Sequence, residues 1–329
     1  MDKLKHKTVN YNSMRQLALF LTVLLTINAF SQSRSWKYLE ETPPGDIPKV
    51  FGLGTVSTLK SEQSSPVFRS DMKEMYWSAT ENPADKHNTT IYYCKYEHDM
   101  WLGPFVAKYS GKHEDGGITI HKDNIYFNSN RDIQHVSDSL KLVMHWAQIP
   151  DSRIWTSSYQ SNAWSTPKLS NLKFDGFGKI FQLSFANNGN VYFTSHLGGV
   201  NEQVGIYKAT KNGSGYSRPK PLAMSSVNSR SMDWTPFIAP DESYIIFSST
   251  RNENREDQGD LYICFKTASG GWSKAMYMGD DINTWAQEGC PSVSPDGKYL
   301  FFLRWTKDNA HDIFWVSTNI IKKLKAQVQ

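Results

Sequence analysis

Short apolar runs rich in Ile, Val, Phe, Tyr and Trp recur along the chain from Ile47 onward, alternating with polar positions and bounded by Gly, Pro, Asn and Asp. Alternation of this kind predicts short strands joined by tight turns, and no long apolar stripe with the helical period of about 3.6 residues competes with it. The cleanest unit occurs twice. Thr235-Pro236-Phe237-Ile238-Ala239-Pro240-Asp241 aligns with Cys290-Pro291-Ser292-Val293-Ser294-Pro295-Asp296, and each leads into a second apolar run, residues 244–247 or 299–302. The Pro-Asp step, followed by Glu242 or Gly297, marks the turn between two strands.

Weaker copies stand at Ser65-Pro66-Val67-Phe68-Arg69-Ser70-Asp71, at Gly117-Ile118-Thr119-Ile120 before Lys122-Asp123-Asn124, and at Leu183-Ser184-Phe185 before Asn187-Asn188-Gly189. Strand pairs recurring roughly every 55 residues are the mark of a repeat architecture. A third strand follows each pair: Ile91-Tyr92-Tyr93, Ile154-Trp155, Ile206-Tyr207, Leu261-Tyr262 and Ile313-Phe314-Trp315. An aromatic residue and usually a proline come next, as in Trp101-Leu102-Gly103-Pro104 and Trp164-Ser165-Thr166-Pro167. Strand-turn-strand-strand-turn-strand is one propeller blade, so the expected fold is all-β, a five-bladed β-propeller. A six-bladed ring is the alternative, in which the long second copy hides a degenerate blade. The fifth copy lacks its fourth strand, and Ile47-Pro48-Lys49-Val50-Phe51-Gly52 matches the missing piece. The N-terminal strand is therefore expected to complete the last blade and leave no open sheet edge.

The Pro-x-x-(Ser/Ala)-Pro-Asp-(Gly/Glu) unit, the strand ending Phe247-Ser248-Ser249-Thr250-Arg251, and Asp260-Leu261-Tyr262 together resemble the TolB-type WD-like propeller repeat. The resemblance runs along nearly the whole chain after the leader and is sharpest in copies four and five. It implies a binding platform in the bacterial envelope, and related propellers also serve as polysaccharide lyases. Sialidase Asp boxes are not matched, because Ser294-Pro295-Asp296-Gly297 continues into Lys298-Tyr299 without the required Trp.

One stretch is strongly apolar, Leu17 to Phe30, preceded by Arg15 and followed by Ser31-Gln32. It is too short to span a bilayer comfortably, and Ala29 and Ser31 are small residues placed as at a cleavage site, so it reads as a signal peptide. The domain plan is then a signal peptide over 1–31, a linker over 32–44, the propeller over 45–318, and a basic C-terminal tail over 319–329 read as a solvated end. Met14 is an alternative start. The chain is expected to be periplasmic or secreted, with no membrane span after cleavage, and to be a monomer. A net charge of +4, scattered along the sequence, gives no reason to expect a nucleic-acid partner. Of the three cysteines, Cys94 and Cys264 occupy the same place in two repeats and read as strand packing, and none has Cys/His metal spacing.

Candidate chemistry follows from blade topology, because the loop entering an innermost strand and the loop after the second strand open on the same face. Ahead of the innermost strands stand Glu62, Asp115, Asp233 and Glu288; after the second strands stand Arg131, His196 and Arg251. One reading pairs them structurally, an arginine of one blade bonded to the acidic loop of its neighbour. The other makes them a site for an acidic or hydroxyl-rich ligand, with Arg131 and Arg251 clamping a carboxylate or sulfate and Trp234, Trp285 or Trp146 stacking on a sugar ring. A catalytic version uses His196, Arg131 and Arg251 on an acidic sugar. Asp115, Asp233 and Glu288 could offer oxygen ligands to a calcium ion on the axis, although no acidic loop of the EF-hand type is present and no other cofactor is implied. The long stretch from Arg131 to Asp151, with His135, His145 and Trp146, is expected to cover part of the funnel. The function these residues suggest is an exported module that binds a glycan or an envelope protein on its funnel face. The alternative is a glycan-active enzyme, a lyase, dehydratase or hydrolase acting on acidic sugars.

Overall fold

The computed structural model describes residues 37–81, 89–131, 153–172, 174, 180–196, 204–252, 259–305 and 310–328. Two compact units are present, residues 1–42 and residues 43–329. The described part of the first carries a single 3-10 turn, Tyr38–Glu40; the second is the propeller.

Its first strand, β1 (Lys49–Val50), is set aside for the end of the ring. Blade one comprises β2 (Ser61–Glu62), β3 (Val67–Phe68), β4 (Glu74–Thr80), β5 (Thr89–Glu97) and β6 (Met100–Val106), with β2 and β3 both pairing with β4 as an interrupted innermost strand. Blade two comprises β7 (Asp115–His121), β8 (Asn124–Ser129), β9 (Arg153–Gln160), β10 (Ala163–Trp164) and β11 (Lys168–Leu169). Blade three runs β12 (Phe181–Phe185), β13 (Val191–His196), β14 (Val204–Ala209) and β17 (Lys220–Pro221), with a small hairpin of β15 (Lys211–Asn212) and β16 (Gly215–Tyr216) beside it. In blade four the order is β18 (Asp233–Ile238), β19 (Tyr244–Ser249), β20 (Asp260–Phe265) and β21 (Met276–Tyr277). Blade five is β22 (Glu288–Val293), β23 (Tyr299–Trp305) and β24 (His311–Ser317), with β1 as its outer strand. The ring has five blades, and the six-bladed alternative falls away because each of the five four- or five-stranded sheets accounts for one sequence repeat.

Closure is antiparallel, Lys49 opposite Trp315 and Val50 opposite Phe314. The seam is packed as well as hydrogen-bonded. Phe51 is fully buried and meets Phe301 and Trp315 edge-on at 5.0 and 5.2 Å between ring centres.

The alternation read along each strand becomes burial on both faces, because every sheet is sandwiched between neighbours. Apolar side chains gather in layers between blades: Tyr76, Ile91, Ile118 and Phe127 between blades one and two, Ile154, Leu183 and Phe193 between two and three, and Tyr192, Ile238, Phe247 and Cys264 between three and four. Cys94 and Cys264 are buried free thiols within β5 and β20, and burial pushes both up to about 12.

The basic tail is not a solvated end. Residues Asn319–Lys325 form helix α1. Its Ile321 and Leu324, three apart and so on one helical face, are buried with Leu300, Phe302 and Val316, while Lys322, Lys323 and Lys325 stay exposed. Among the described residues no helix is long and apolar enough to cross a membrane.

Candidate binding site on the propeller axis

The acids ahead of the innermost strands and the arginines after the second strands meet within a blade. Arg131 Nη2 donates to Asp115 Oδ1 at 2.5 Å in blade two, and Arg251 Nη2 to Asp233 Oδ1 at 2.5 Å in blade four. Arg304 Nε donates to Glu288 Oε1 at 2.8 Å in blade five. All three acids are fully buried. Each also accepts from a hydroxyl a few residues upstream, Ser110 on Asp115, Ser229 on Asp233 and Thr284 on Glu288. The guanidinium groups finish the joint by donating to backbone carbonyls of the entering loop: Tyr109, then Ser226 and Val227, then Asp281 and Ile282. Each unit is thus a brace that ties the incoming loop to the end of the second strand of the same blade, not a link between neighbouring blades. Burial raises the Glu288 carboxyl, opposed by Thr284 and Arg304.

Blades one and three depart from the pattern. Ile180 stands two residues before the bulge residue Gln182, where the other blades carry the acid. In blade one Glu62 is fully buried opposite Ala79, and among the described residues no side chain hydrogen-bonds to its carboxylate oxygens. Burial first, then the nearby Asp312, pushes this carboxyl up to about 8.

Among the described residues, what the blades bring to the axis is mostly amide, hydroxyl and aromatic side chains. A cavity of about 990 Å³, counting space open to solvent, is lined by side chains from all five blades. Gln63 and Thr89 come from blade one, Glu114, Asn128 and Asn130 from blade two, Phe181 and Gln182 from blade three, Trp234 and Thr235 from blade four, and Gln287, Cys290 and His311 from blade five. Bulges in the innermost strands place several of them. The register shifts between Gly116 and Thr119, Phe181 and Leu183, Trp234 and Phe237, and Gly289 and Ser292. The bulged residues Gly117, Gln182, Thr235 and Cys290 all have positive φ, at 59°, 41°, 51° and 51°. A bulge re-aims a side chain that regular pleating would send into the sheet-to-sheet core, and left-handed backbone at non-glycine residues is held there by its surroundings.

Those surroundings are tied from blade to blade by hydrogen bonds. Asn128 Nδ2 donates to the Ile180 carbonyl at 2.9 Å, Thr194 Oγ1 accepts from Thr235 N at 3.0 Å, and Thr235 Oγ1 accepts from Cys290 N at 3.2 Å. Gln182 Nε2 reaches across to Cys290 Sγ at 2.9 Å. Gln182, Thr235 and Cys290 also line a second cavity at the other end of the axis, floored by Pro66, Pro236 and Pro291, so they form the waist between the two.

Of the described residues singled out in the sequence, Trp234 alone lines the funnel cavity. Asp115, Asp233 and Glu288, with Arg131 and Arg251, are occupied in the braces. His196 ends β13, its carbonyl accepting from Tyr207 Oη at 3.0 Å and its ring edge-on to Phe181. Trp285 is 78% exposed and does not line the cavity. Trp146, His135 and His145, and with them the expected cover, lie outside the described residues, as does the expected signal peptide. Among the described residues no group of three His, Cys, Asp or Glu side chains is arranged to hold a metal ion.

The amides Gln63, Asn128, Gln182 and Gln287 and the brace arginine Arg304 escape a reading of the sequence alone. A Ser/Thr four or five residues before an acid, Ser110 before Asp115, Ser229 before Asp233 and Thr284 before Glu288, is the signal that marks the braces as structural.

No protein-family model matches the chain, and no curated protein matches it by sequence. Solved structures similar to it include TolB from Acinetobacter baumannii, at 13% identity over 78% of this chain and 54% of that one, with a TM-score of 0.44. The chain thus spans about half the length of that TolB. A thermostable family-43 glycoside hydrolase aligns at 13% identity over 79% of this chain and 90% of that one, with a TM-score of 0.49. A gluconolactonase from Xanthomonas campestris aligns at 11% identity over 83% and 97%, with a TM-score of 0.46. At such identities the likeness concerns the fold, and the five-bladed arrangement stands on the strand order itself.

Proposed function

We propose that this chain is an exported β-propeller that binds a hydroxyl-rich ligand, a glycan, in its funnel cavity. The observation that carries the reading is the convergence of amide, hydroxyl and aromatic side chains from every blade on one axial cavity. A concave site with a few placed polar groups and an aromatic wall is the ordinary form of a small-ligand pocket. Export is supported by the apolar stretch from Leu17 to Phe30.

Binding is favoured over turnover because Glu114 is the one carboxylate among the described lining residues, whereas hydrolysis of a glycosidic bond ordinarily takes two facing carboxyl groups. The test is a thermal-shift and turnover screen of the protein against neutral and acidic polysaccharide fragments. A raised melting temperature with no release of reducing ends and no new ultraviolet absorbance is expected, since a ligand that binds only the folded state stabilises it. Product formation overturns the binding reading in favour of an enzyme; the absence of any response overturns the glycan.

A further inference from the structure

β6 is the last strand of blade one, at the outer edge of the order β2-β4-β5-β6. Its seven residues, Met100–Val106, carry no charge. The outer strands of the other blades, β1, β10, β11, β17 and β21, are two residues long, and Lys49, Lys168 and Lys220 stand in three of them. Brevity and lysine are the usual means of blunting a sheet edge, and β6 has neither. Pro104 withholds one donor, at the irregularity where Tyr93 faces Phe105 and Lys95 faces Leu102. On either side of it, Met100, Phe105 and Val106 are 53%, 41% and 48% exposed.

An aromatic row also runs out at this edge. Tyr76 of β4 stacks on Tyr93 of β5 at 5.5 Å, and Tyr93 meets Phe105 of β6 at 5.5 Å. The row is buried at Tyr76 and ends exposed at Phe105. Side-chain pairs across strands are what stabilise a sheet, and one more strand would extend the row.

The charges at the two ends of β6 select the strand that fits. The tight turn His98-Asp99, both residues with positive φ, leads into it, and Lys108 follows it. Asp99 and Lys108 are exposed, and among the described residues neither is in an ion pair. An antiparallel copy of β6 brings Asp99 of each chain to the Lys108 of the other, twice over by the two-fold axis. Parallel pairing would set like charge beside like.

We infer that β6 pairs antiparallel with β6 of a second copy of this chain, making one sheet continuous across a two-fold dimer. Backbone bonds and apolar contacts hold the strands, while the exposed ion pairs, each worth little, set their direction. The inference stands apart from the funnel reading and replaces the monomer expected from the sequence.

Sedimentation velocity on the protein expressed from its full-length sequence, from about 1 to 100 μM, is expected to show a monomer–dimer equilibrium. Val106→Lys should leave a monomer of unchanged melting temperature, and Lys108→Glu should weaken the dimer about tenfold, an effect that added salt reduces. Amide exchange on the unaltered protein asks the same question without a variant: the amides of residues 100–106 should slow as concentration rises, while those of β21 stay unchanged. A monomer at about 100 μM, a dimer indifferent to either variant, or protection at another strand in place of β6 would overturn the inference.

Discussion

Arg251 and Asp233 are joined twice over: Nη2 donates to Oδ1 at 2.5 Å, and Ser249 Oγ, which accepts from Arg251 Nε at 2.9 Å, donates to the same carboxylate oxygen at 2.6 Å. Asp233 has no exposure at all. Such a pair is weak evidence of net stabilisation over an apolar substitute, but taking away one member strands the other.

Arg251→Met should therefore cost about 3–5 kcal/mol in urea unfolding, and Arg251→Met combined with Asp233→Leu should recover a large part of it. If the single variant costs no more than a surface substitution, the brace is not structural.

Glu62 reports on pH. Its folded-state value of about 8 lies above the ordinary carboxyl value of 4.5. The folded chain then holds this proton more tightly than the unfolded chain, so the term is fully favourable below pH 4.5 and is lost as pH rises towards 8. Glu62→Gln, which stays neutral, should raise stability by roughly 2–4 kcal/mol at pH 9 and by little at pH 4. Equal effects at both values would refute the assignment.

Glu242 has the opposite sign. Burial raises its carboxyl, but donors from Lys208, Tyr192, Asn190 and Asn188 outweigh that and hold it at about 2. The stability it contributes is complete above 4.5 and lost as pH falls to 2. Glu242→Gln should remove roughly 2–3 kcal/mol at pH 7 and flatten the acid limb of the unfolding curve.

Gly259→Ala should displace Trp234, because the added methyl would approach two indole carbons at 2.7 and 2.8 Å. An overpacking cost of about 1–3 kcal/mol is expected, together with a shift in tryptophan emission and weakened ligand binding. Unchanged emission would mean that the indole is not held where the cavity needs it.

The blades are legible in the chain because each ends its innermost hairpin with a turn that tolerates few residues, as at Pro240-Asp241 and Pro295-Asp296, and because a strand's face alternates with its sequence. β1 is legible for the same reason: the fifth copy is short by one strand. The funnel chemistry is not, since Gln182 and Cys290 reach the axis through bulges, and an extra residue in a strand leaves no compositional mark. Arg131 and Arg251 mislead as ligand clamps, because recurrence marks a position as necessary without saying whether it serves the fold or the ligand. α1 is masked by its lysines, which outnumber the buried Ile321 and Leu324.

Closure by β1 also sets an order of assembly. Ser57 Oγ accepts from Ile313 N at 3.1 Å across 256 positions of chain, a contact that only the last-made strand can supply. Four sheets can form as the polypeptide emerges, but the fifth stays open at both lips until β24 arrives, and a ring with so distant a latch should fold slowly.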